Sequence, residues 1–139
     1  MDLKCLEDYS NCGSFTFKLG DTLSTKSREV PNAPGIYIIY AIISNVKELV
    51  YIGKSGTMIN NGSFKKQLLR KRLNNRHAGV SRQVYFESKL KEEKIETLEF
   101  HWFVTFDESN THIPGFVEGN LLQQYYNQYK KLPPWNKDF

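Results

Sequence analysis

Two short runs rich in Ile, Val and Tyr constrain the fold of this chain more than any other feature of its sequence. The runs occupy residues 35–40 and 49–54, and a polar connection at residues 44–48 separates them. Because β-branched and aromatic side chains favour extended backbone, the pattern predicts a β-hairpin with a long connection. Gly35 and Gly53 border the two runs, where the absence of a side chain suits close approach of the backbone to a neighbour or a ligand.

The segments after the hairpin predict two helices, a third strand and a final helix. The alternating pattern of residues 98–106 is typical of a strand, and Pro114 suits the first turn of a helix. Ser63 is expected to cap the first of the helices. The predicted order is therefore strand, strand, helix, helix, strand, helix, with the helices at residues 63–77, 81–93 and 114–131.

Length and composition favour a single globular domain. The chain has 139 residues, of which 40% are hydrophobic and 14% aromatic, and this excludes a disordered chain. Residues 1–33 are interpreted as an amino-terminal extension, in which residues 14–19 alternate as an edge strand does, and residues 34–139 as the main domain. No apolar run approaches the roughly 20 residues that cross a bilayer, and no signal peptide is recognisable. We therefore expect a cytoplasmic protein with no membrane partner and with Cys5 and Cys12 as free thiols.

Positive charge is concentrated in one segment. Ten of the nineteen Lys and Arg residues lie between residues 65 and 94, against three acidic residues there. Such clustering is typical of a polyanion-binding surface, although a solvated helix face explains it equally well. The residues predicted to bind nucleic acid are Lys65, Lys66, Arg70, Lys71, Arg82 and Lys89.

Two arginines stand out in the predicted helix at residues 63–77. At 100° per residue, Arg72 and Arg76 fall within the apolar arc formed by the leucines rather than opposite it. Burial of a charge without a partner is costly, so these positions indicate a function. The alternative is structural, because an arginine stem can lie along apolar surface while its head reaches water.

Glu118 is the most informative single residue of the sequence. It lies in the middle of the apolar stripe of the last predicted helix, one turn before Leu122. A carboxylate in that place needs a cation, a metal or strong hydrogen-bond donors to remain ionised. The alternative is an acidic residue in the first turn, which the helix dipole favours.

The hairpin carries the two tripeptides Gly-Ile-Tyr, at residues 35–37, and Tyr-Ile-Gly, at residues 51–53. With these the chain resembles the GIY-YIG nuclease family, and its Pro-Trp-Asn ending is similar to that of the family's small restriction endonucleases. The resemblance covers residues 34–136 and implies an α+β fold, with a small three-stranded antiparallel sheet flanked by helices. Arg72, Glu118 and Asn136 match the family's helix arginine, metal-binding glutamate and terminal asparagine.

The resemblance implies a metal-dependent endonuclease that hydrolyses DNA, of the restriction or nicking kind. Glu118 would hold one Mg²⁺ or Mn²⁺, and Arg72 would stabilise the charge on the phosphoryl group. Tyr37 would take a proton from water, which requires its pKa to fall from the ordinary ~10. Tyr51 would form a hydrogen bond with the phosphate or the water, and Lys54 would assist. RNA as the substrate, a homodimer, an accessory specificity subunit and a non-catalytic nucleic-acid binding module on the same fold remain open alternatives.

One position departs from the family pattern. The family often places a His or a Tyr four residues after the helix arginine, and this chain has Arg76 there and His77 one residue later. Either Arg76 replaces the usual ring, or a local distortion of the helix brings His77 to the phosphate beside Arg72.

Overall fold

The computed structural model of the chain describes residues 1–65, 68–77 and 80–139, with the backbone alone for residues 76 and 77. The fold is α+β with an antiparallel sheet, which confirms the predicted class. In chain order, a 3₁₀ turn at Lys4–Leu6 precedes β1 (Cys12–Phe17), α1 (Leu23–Lys26), β2 (Gly35–Ile43), β3 (Val46–Ser55), α2 (Leu69–Asn74), β4 (Arg76–His77), β5 (Val80–Ser81), α3 (Arg82–Glu92), β6 (Thr97–Val104) and α4 (Pro114–Tyr129).

The main sheet has four strands in the order β1-β6-β2-β3 rather than the three expected. The additional strand is β1, which pairs antiparallel with β6 at the edge of the sheet, Ser14 opposite His101. The alternating pattern read at residues 14–19 therefore marks a genuine edge strand, which begins two residues earlier. A separate two-stranded ribbon pairs β4 with β5.

The hairpin of β2 and β3 is longer and more tightly turned than predicted. Ser44 and Asn45 have φ angles of 50° and 64°, so a two-residue turn joins the strands and the expected five-residue connection was wrong. Positive φ at both turn residues gives a twist that matches the right-handed twist of the strands.

Alternation along β2 divides the apolar residues between two cores, one on each face of the sheet. Tyr37 and Ile39 point to the face that α2 and α3 cover, and Ile36 and Ile38 point to the face that α4 covers. The first core includes Leu69, Leu73, Phe86, Phe100 and Trp135, and the second includes Leu6, Ile52, Val117, Leu121 and Leu122.

The helix predicted at residues 63–77 was wrong at both ends. Residues 57–65 instead form a small hairpin, in which Met58 pairs with Phe64 and the N–H of Lys65 donates to the carbonyl of Thr57. Ser63 cannot cap α2, since its N–H and hydroxyl both donate to Asn61. At the other end Asn74 donates its side-chain amide to the carbonyl of Arg70, a local hydrogen bond that competes with helix continuation.

The other predicted elements are confirmed with small shifts of their ends. Ser81 accepts a hydrogen bond from the N–H of Val84 and caps α3. The helix α4 begins at Pro114 and ends where Lys130 adopts a left-handed conformation, with φ of 59°. None of the helices in the described ranges is long and apolar enough to cross a membrane.

Candidate active site

Several of the residues singled out in the sequence lie near one end of the sheet. Gly35 begins β2 there, opposite Ser55 at the end of β3 and Val104 at the end of β6. The first turn of α4 lies at the same end, because Lys54 extends its ammonium to within 3.6 Å of the place that a side chain on Gly115 would take. Residues from both faces of the sheet therefore lie near this end, because α2 packs on one face and α4 on the other.

A pair of tyrosines explains why residue 53 is glycine. Gly53 lies opposite Tyr37 in the β2–β3 register, and the rings of Tyr37 and Tyr51 have their centroids 5.7 Å apart. A Cβ atom at residue 53 would lie 2.6 Å from carbon atoms of both rings. The glycine therefore allows the two phenols to lie side by side over the strand.

The hydroxyl of Tyr37 is buried and makes no well-formed hydrogen bond within the described part of the chain. Burial raises its pKa well above the ordinary value, and the neighbouring Tyr51 raises it further. The charges of Arg82 and Arg72 act in the opposite direction, but burial outweighs them. In this structure the phenol is accordingly protonated at neutral pH, whereas the sequence led us to expect cations that lower its pKa.

Glu118 is the acidic member of the site. It lies on the buried face of α4, and burial raises the pKa of its carboxyl group. The cations Lys54 and Arg72 lower that pKa without overcoming the effect of burial. The carboxyl group is therefore near two cations and yet disfavoured as an anion.

Arg72 connects the acidic and the phenolic parts of the site. It lies on α2, half-buried, and its backbone N–H donates to the carbonyl of Leu68. Its charge acts on Tyr37, from the first core, and on Glu118, from the second. Arg72 thus lies within electrostatic reach of both groups, as the sequence-based assignment of these residues to one site requires.

Arg82 is not on the surface where the sequence placed it. Only 4% of the residue is exposed, and its charge acts on Tyr37 and Tyr85. The sequence contained a signal for this burial, because Phe86 and Leu90 follow Arg82 at four-residue spacing and share its helix face. A cation on the apolar face of a helix was recognised in the sequence at Arg72 but not at Arg82.

The remaining predicted nucleic-acid contacts fall into two groups. Lys65, Arg70 and Lys71 are exposed, on the hairpin at residues 57–65 and on α2, while Lys66 lies outside the described residues. Lys89 is engaged instead, since its ammonium lies 3.3 Å from Glu93 and over the ring of Trp135.

Asn136 fastens the end of the chain to the strand that carries Tyr51. Its side-chain oxygen accepts a hydrogen bond from the N–H of Ile52 at 3.0 Å, and its amide donates to the carbonyl of the same residue at 2.9 Å. The N–H of Trp135 donates to the carbonyl of Val50. These bonds cover the outer edge of β3 beside the tyrosine pair.

Arg76 and His77 do not lie on a helix, so their predicted positions on a helical wheel were wrong. Both residues lie beyond α2, in the β4 strand that pairs with β5, so neither follows the periodicity of the helix that carries Arg72. Their side chains lie outside the described part of the structure.

The donor set fits one kind of metal ion. In the described ranges no three His, Cys, Asp or Glu side chains are grouped to hold a metal, so Glu118 belongs to no such group. Magnesium keeps several water ligands and commonly binds through one or two carboxylates and the phosphate of its substrate. Glu118 fits that requirement, whereas a zinc site needs more protein ligands.

No protein-family model, no curated protein and no solved structure matches this chain.

Proposed function

We propose that the chain is a metal-dependent endonuclease of the GIY-YIG type that hydrolyses DNA, as a restriction or nicking enzyme. The observation that carries the proposal is the excess of positive charge at a largely buried site. Three cations act on the site, Arg72 and Arg82 on Tyr37 and Lys54 and Arg72 on Glu118. A single carboxylate cannot balance them, and a phosphodiester supplies the missing negative charge.

The arrangement suits the charge that develops in phosphodiester hydrolysis. Negative charge grows on the phosphoryl oxygens and on the departing 3′-oxygen as the bond breaks. A guanidinium presents two parallel donors to such oxygens, so Arg72 is assigned to the phosphoryl group. Glu118 would hold one Mg²⁺ or Mn²⁺, which supplies further neutralisation when bound.

The tyrosines are assigned to the attacking water and the phosphate. As a protonated phenol, Tyr37 has a hydroxyl proton that it can donate to a substrate or a water molecule. A role as the general base requires the pKa of that hydroxyl to fall towards neutrality when the substrate complex forms. Tyr51 is partly exposed beside it and can contact the phosphate directly.

The exposed basic residues provide the path for the nucleic acid. Lys65, Arg70 and Lys71 lie in the segment that leaves β3 at the site and continues into α2. Contacts between such side chains and phosphates supply most of the non-specific affinity for DNA. The same residues would serve a non-catalytic binding module, which is the competing function.

Incubation with supercoiled plasmid DNA tests the proposal, with a structured RNA as a parallel substrate and with Mg²⁺, Mn²⁺ or EDTA in each case. We expect nicked or linear plasmid with a divalent ion and intact plasmid with EDTA, and Glu118→Gln should leave the plasmid intact. Binding of DNA without cleavage under all three conditions would favour the binding module. Cleavage of RNA alone would correct the substrate class.

A further inference from the structure

We propose that Arg82 is a positioning residue of this site, whose guanidinium fixes the tyrosine pair and favours negative charge at its hydroxyls when a phosphodiester is bound. The inference rests on the proposed function and assigns to Arg82 a role other than the surface contact expected from the sequence.

The first observation is a buried cation without an acidic partner. The Nε atom of Arg82 is buried and makes no hydrogen bond among the described residues, and no carboxylate in the described ranges forms an ion pair with the side chain. The side chains that are not described belong to Lys66, Gln67, Arg76, His77 and Ala78, and none of them is acidic. Burial of an uncompensated charge is unfavourable, so the fold alone does not explain this arginine.

The second observation is where the fold holds the guanidinium. Arg82 is the first residue of α3, and its N–H donates to the carbonyl of Asn75, which joins the start of α3 to the end of α2. The side chain lines a small cavity with Tyr51 and Tyr85, and its charge also acts on Tyr37. It therefore lies beside Tyr51 and within electrostatic reach of Tyr37.

The size of the cavity decides how Arg82 acts. It measures about 10 Å³, close to the space that one water molecule needs and far below that of a phosphate group. Arg82 therefore does not touch the nucleic acid and acts through the tyrosines. An action through the tyrosines agrees with the electrostatics, since Arg82 lowers the pKa of the Tyr37 hydroxyl more than Arg72 does.

The test separates a positioning role from a structural one by comparing Arg82→Met, Arg82→Lys and the control Lys91→Met. Methionine keeps the length of the side chain and removes the charge, and Lys91 is an exposed residue of the same helix. We expect the Arg82→Met melting temperature to equal or exceed that of the wild type, since an unpaired buried charge is removed. We expect kcat for plasmid cleavage to fall by ~10²-fold with KM and DNA affinity within about twofold. Arg82→Lys should recover part of kcat, and Lys91→Met should match the wild type.

A second readout does not depend on cleavage. NMR of protein labelled with ¹³C at tyrosine Cζ reports on each hydroxyl, and Tyr37→Phe and Tyr51→Phe identify the two signals. Arg82→Met should shift both signals at neutral pH and Lys91→Met should shift neither. A wild-type protein that cleaves nothing but shows these shifts would refute the nuclease and retain the positioning role. Unshifted signals, wild-type kcat, or a lower melting temperature with unchanged kcat would each overturn the inference.

Discussion

Two glutamates show how differently this fold treats charge at its two ends. Glu99, on β6, accepts hydrogen bonds from Lys47 at 2.7 Å and from His101 at 2.5 Å, and these bonds lower the pKa of its carboxyl group. Glu118, on α4, is also near two cations, but burial raises the pKa of its carboxyl group. Glu99 is paired through its Oε1 atom with Lys47 and His101, whereas at Glu118 burial outweighs the effect of the nearby cations.

The residues around the two glutamates differ in the same way. The ammonium of Lys47 also lies 4.5 Å from the centre of the Tyr40 ring, and that ring packs edge-on against His101. The residues around Glu99 therefore interact with one another and form a closed cluster. The site around Glu118 contains a carboxyl group whose pKa is raised by burial, and the Tyr37 hydroxyl and the Nε of Arg82 are buried without a hydrogen bond among the described residues. Under the proposed function, a bound phosphodiester would interact with these groups.

The largest expected effect is the loss of cleavage when the charge of Glu118, and not that of Glu99, is removed. Glu118→Gln keeps the size of the side chain and should reduce plasmid cleavage by at least ~10³-fold, because a main stabiliser of the phosphoryl charge is lost. Glu99→Gln makes the same chemical change at the paired cluster and should cleave at the wild-type rate. Single-turnover cleavage with Mg²⁺ measures both. Equal loss in the two variants, or cleavage by Glu118→Gln close to wild type, would show that the metal ligand is elsewhere.

A second contrast concerns two tyrosines on β2 that face opposite sides of the sheet. Tyr37→Phe should lower cleavage by ~10²-fold or more, within the range of general acid–base contributions. It should also raise the free energy of unfolding by about 1 kcal/mol, since a buried hydroxyl without a well-formed hydrogen bond is removed. Tyr40→Phe should leave cleavage unchanged. Cleavage assays and urea denaturation check the pair, and a destabilised, fully active Tyr37→Phe would place the hydroxyl outside the mechanism.

The sequence predicted the fold well because its strongest patterns are local. The two β runs, the alternation in β6 and the apolar stripe of α4 each depend on residues a few positions apart, and all three elements form as expected. The failures have one physical origin. The turn at Ser44 and Asn45, the Asn61 contacts of Ser63 and the side-chain bond of Asn74 are specific hydrogen-bonded or backbone features that periodicity does not encode.

The candidate site was harder to predict from the sequence than the fold, for a similar reason. The wheel placed Arg72 and Glu118 among apolar residues, and the structure shows both within reach of one another. The burial of Arg82 depends on how α3 docks beside α2, and the raised pKa of Tyr37 depends on how completely the cores enclose it. Neither property belongs to one segment of sequence.

The exposed basic residues should affect binding and leave the chemistry intact. Replacing Lys65, Arg70 and Lys71 together by alanine should weaken DNA affinity and flatten its salt dependence, by about 0.9 in the log–log slope for each lost phosphate contact. Lys91, near the end of α3, and Lys94, just beyond it, are exposed, and replacing both by alanine serves as the control and should leave the slope unchanged. Fluorescence anisotropy from low to moderate salt, in EDTA, measures the slopes. A slope unaffected by the triple change would remove this segment from the interface.

The smallest expected effect is on stability, where the two glutamates should respond to pH in opposite directions. The folded protein holds the Glu99 proton less tightly than the unfolded chain does, because hydrogen bonds from Lys47 and His101 favour the anion. The stabilisation from Glu99 is therefore complete above the ordinary carboxyl pKa of 4.5 and is lost as the pH falls through the lower, folded value. Glu99→Gln should lose about 0.2–1 kcal/mol at neutral pH, the range of exposed ion pairs, and match the wild type in strong acid.

Glu118 should behave in the opposite sense. Its folded pKa lies above 4.5, so the folded state binds the proton more tightly and gains stability as the pH falls through that raised value. At neutral pH the ionised carboxylate lowers the free energy of unfolding. Glu118→Gln should therefore be as stable as the wild type or more so. Its advantage should disappear as the pH falls below 4.5, where the wild-type carboxyl group is neutral in both states. Urea denaturation of both variants between pH 7 and pH 3, without divalent ions, follows the two differences. If Glu118→Gln were less stable than the wild type at neutral pH, Lys54 and Arg72 would satisfy the carboxylate as fully as Lys47 and His101 satisfy Glu99, and the distinction between a closed cluster and an open site would fail.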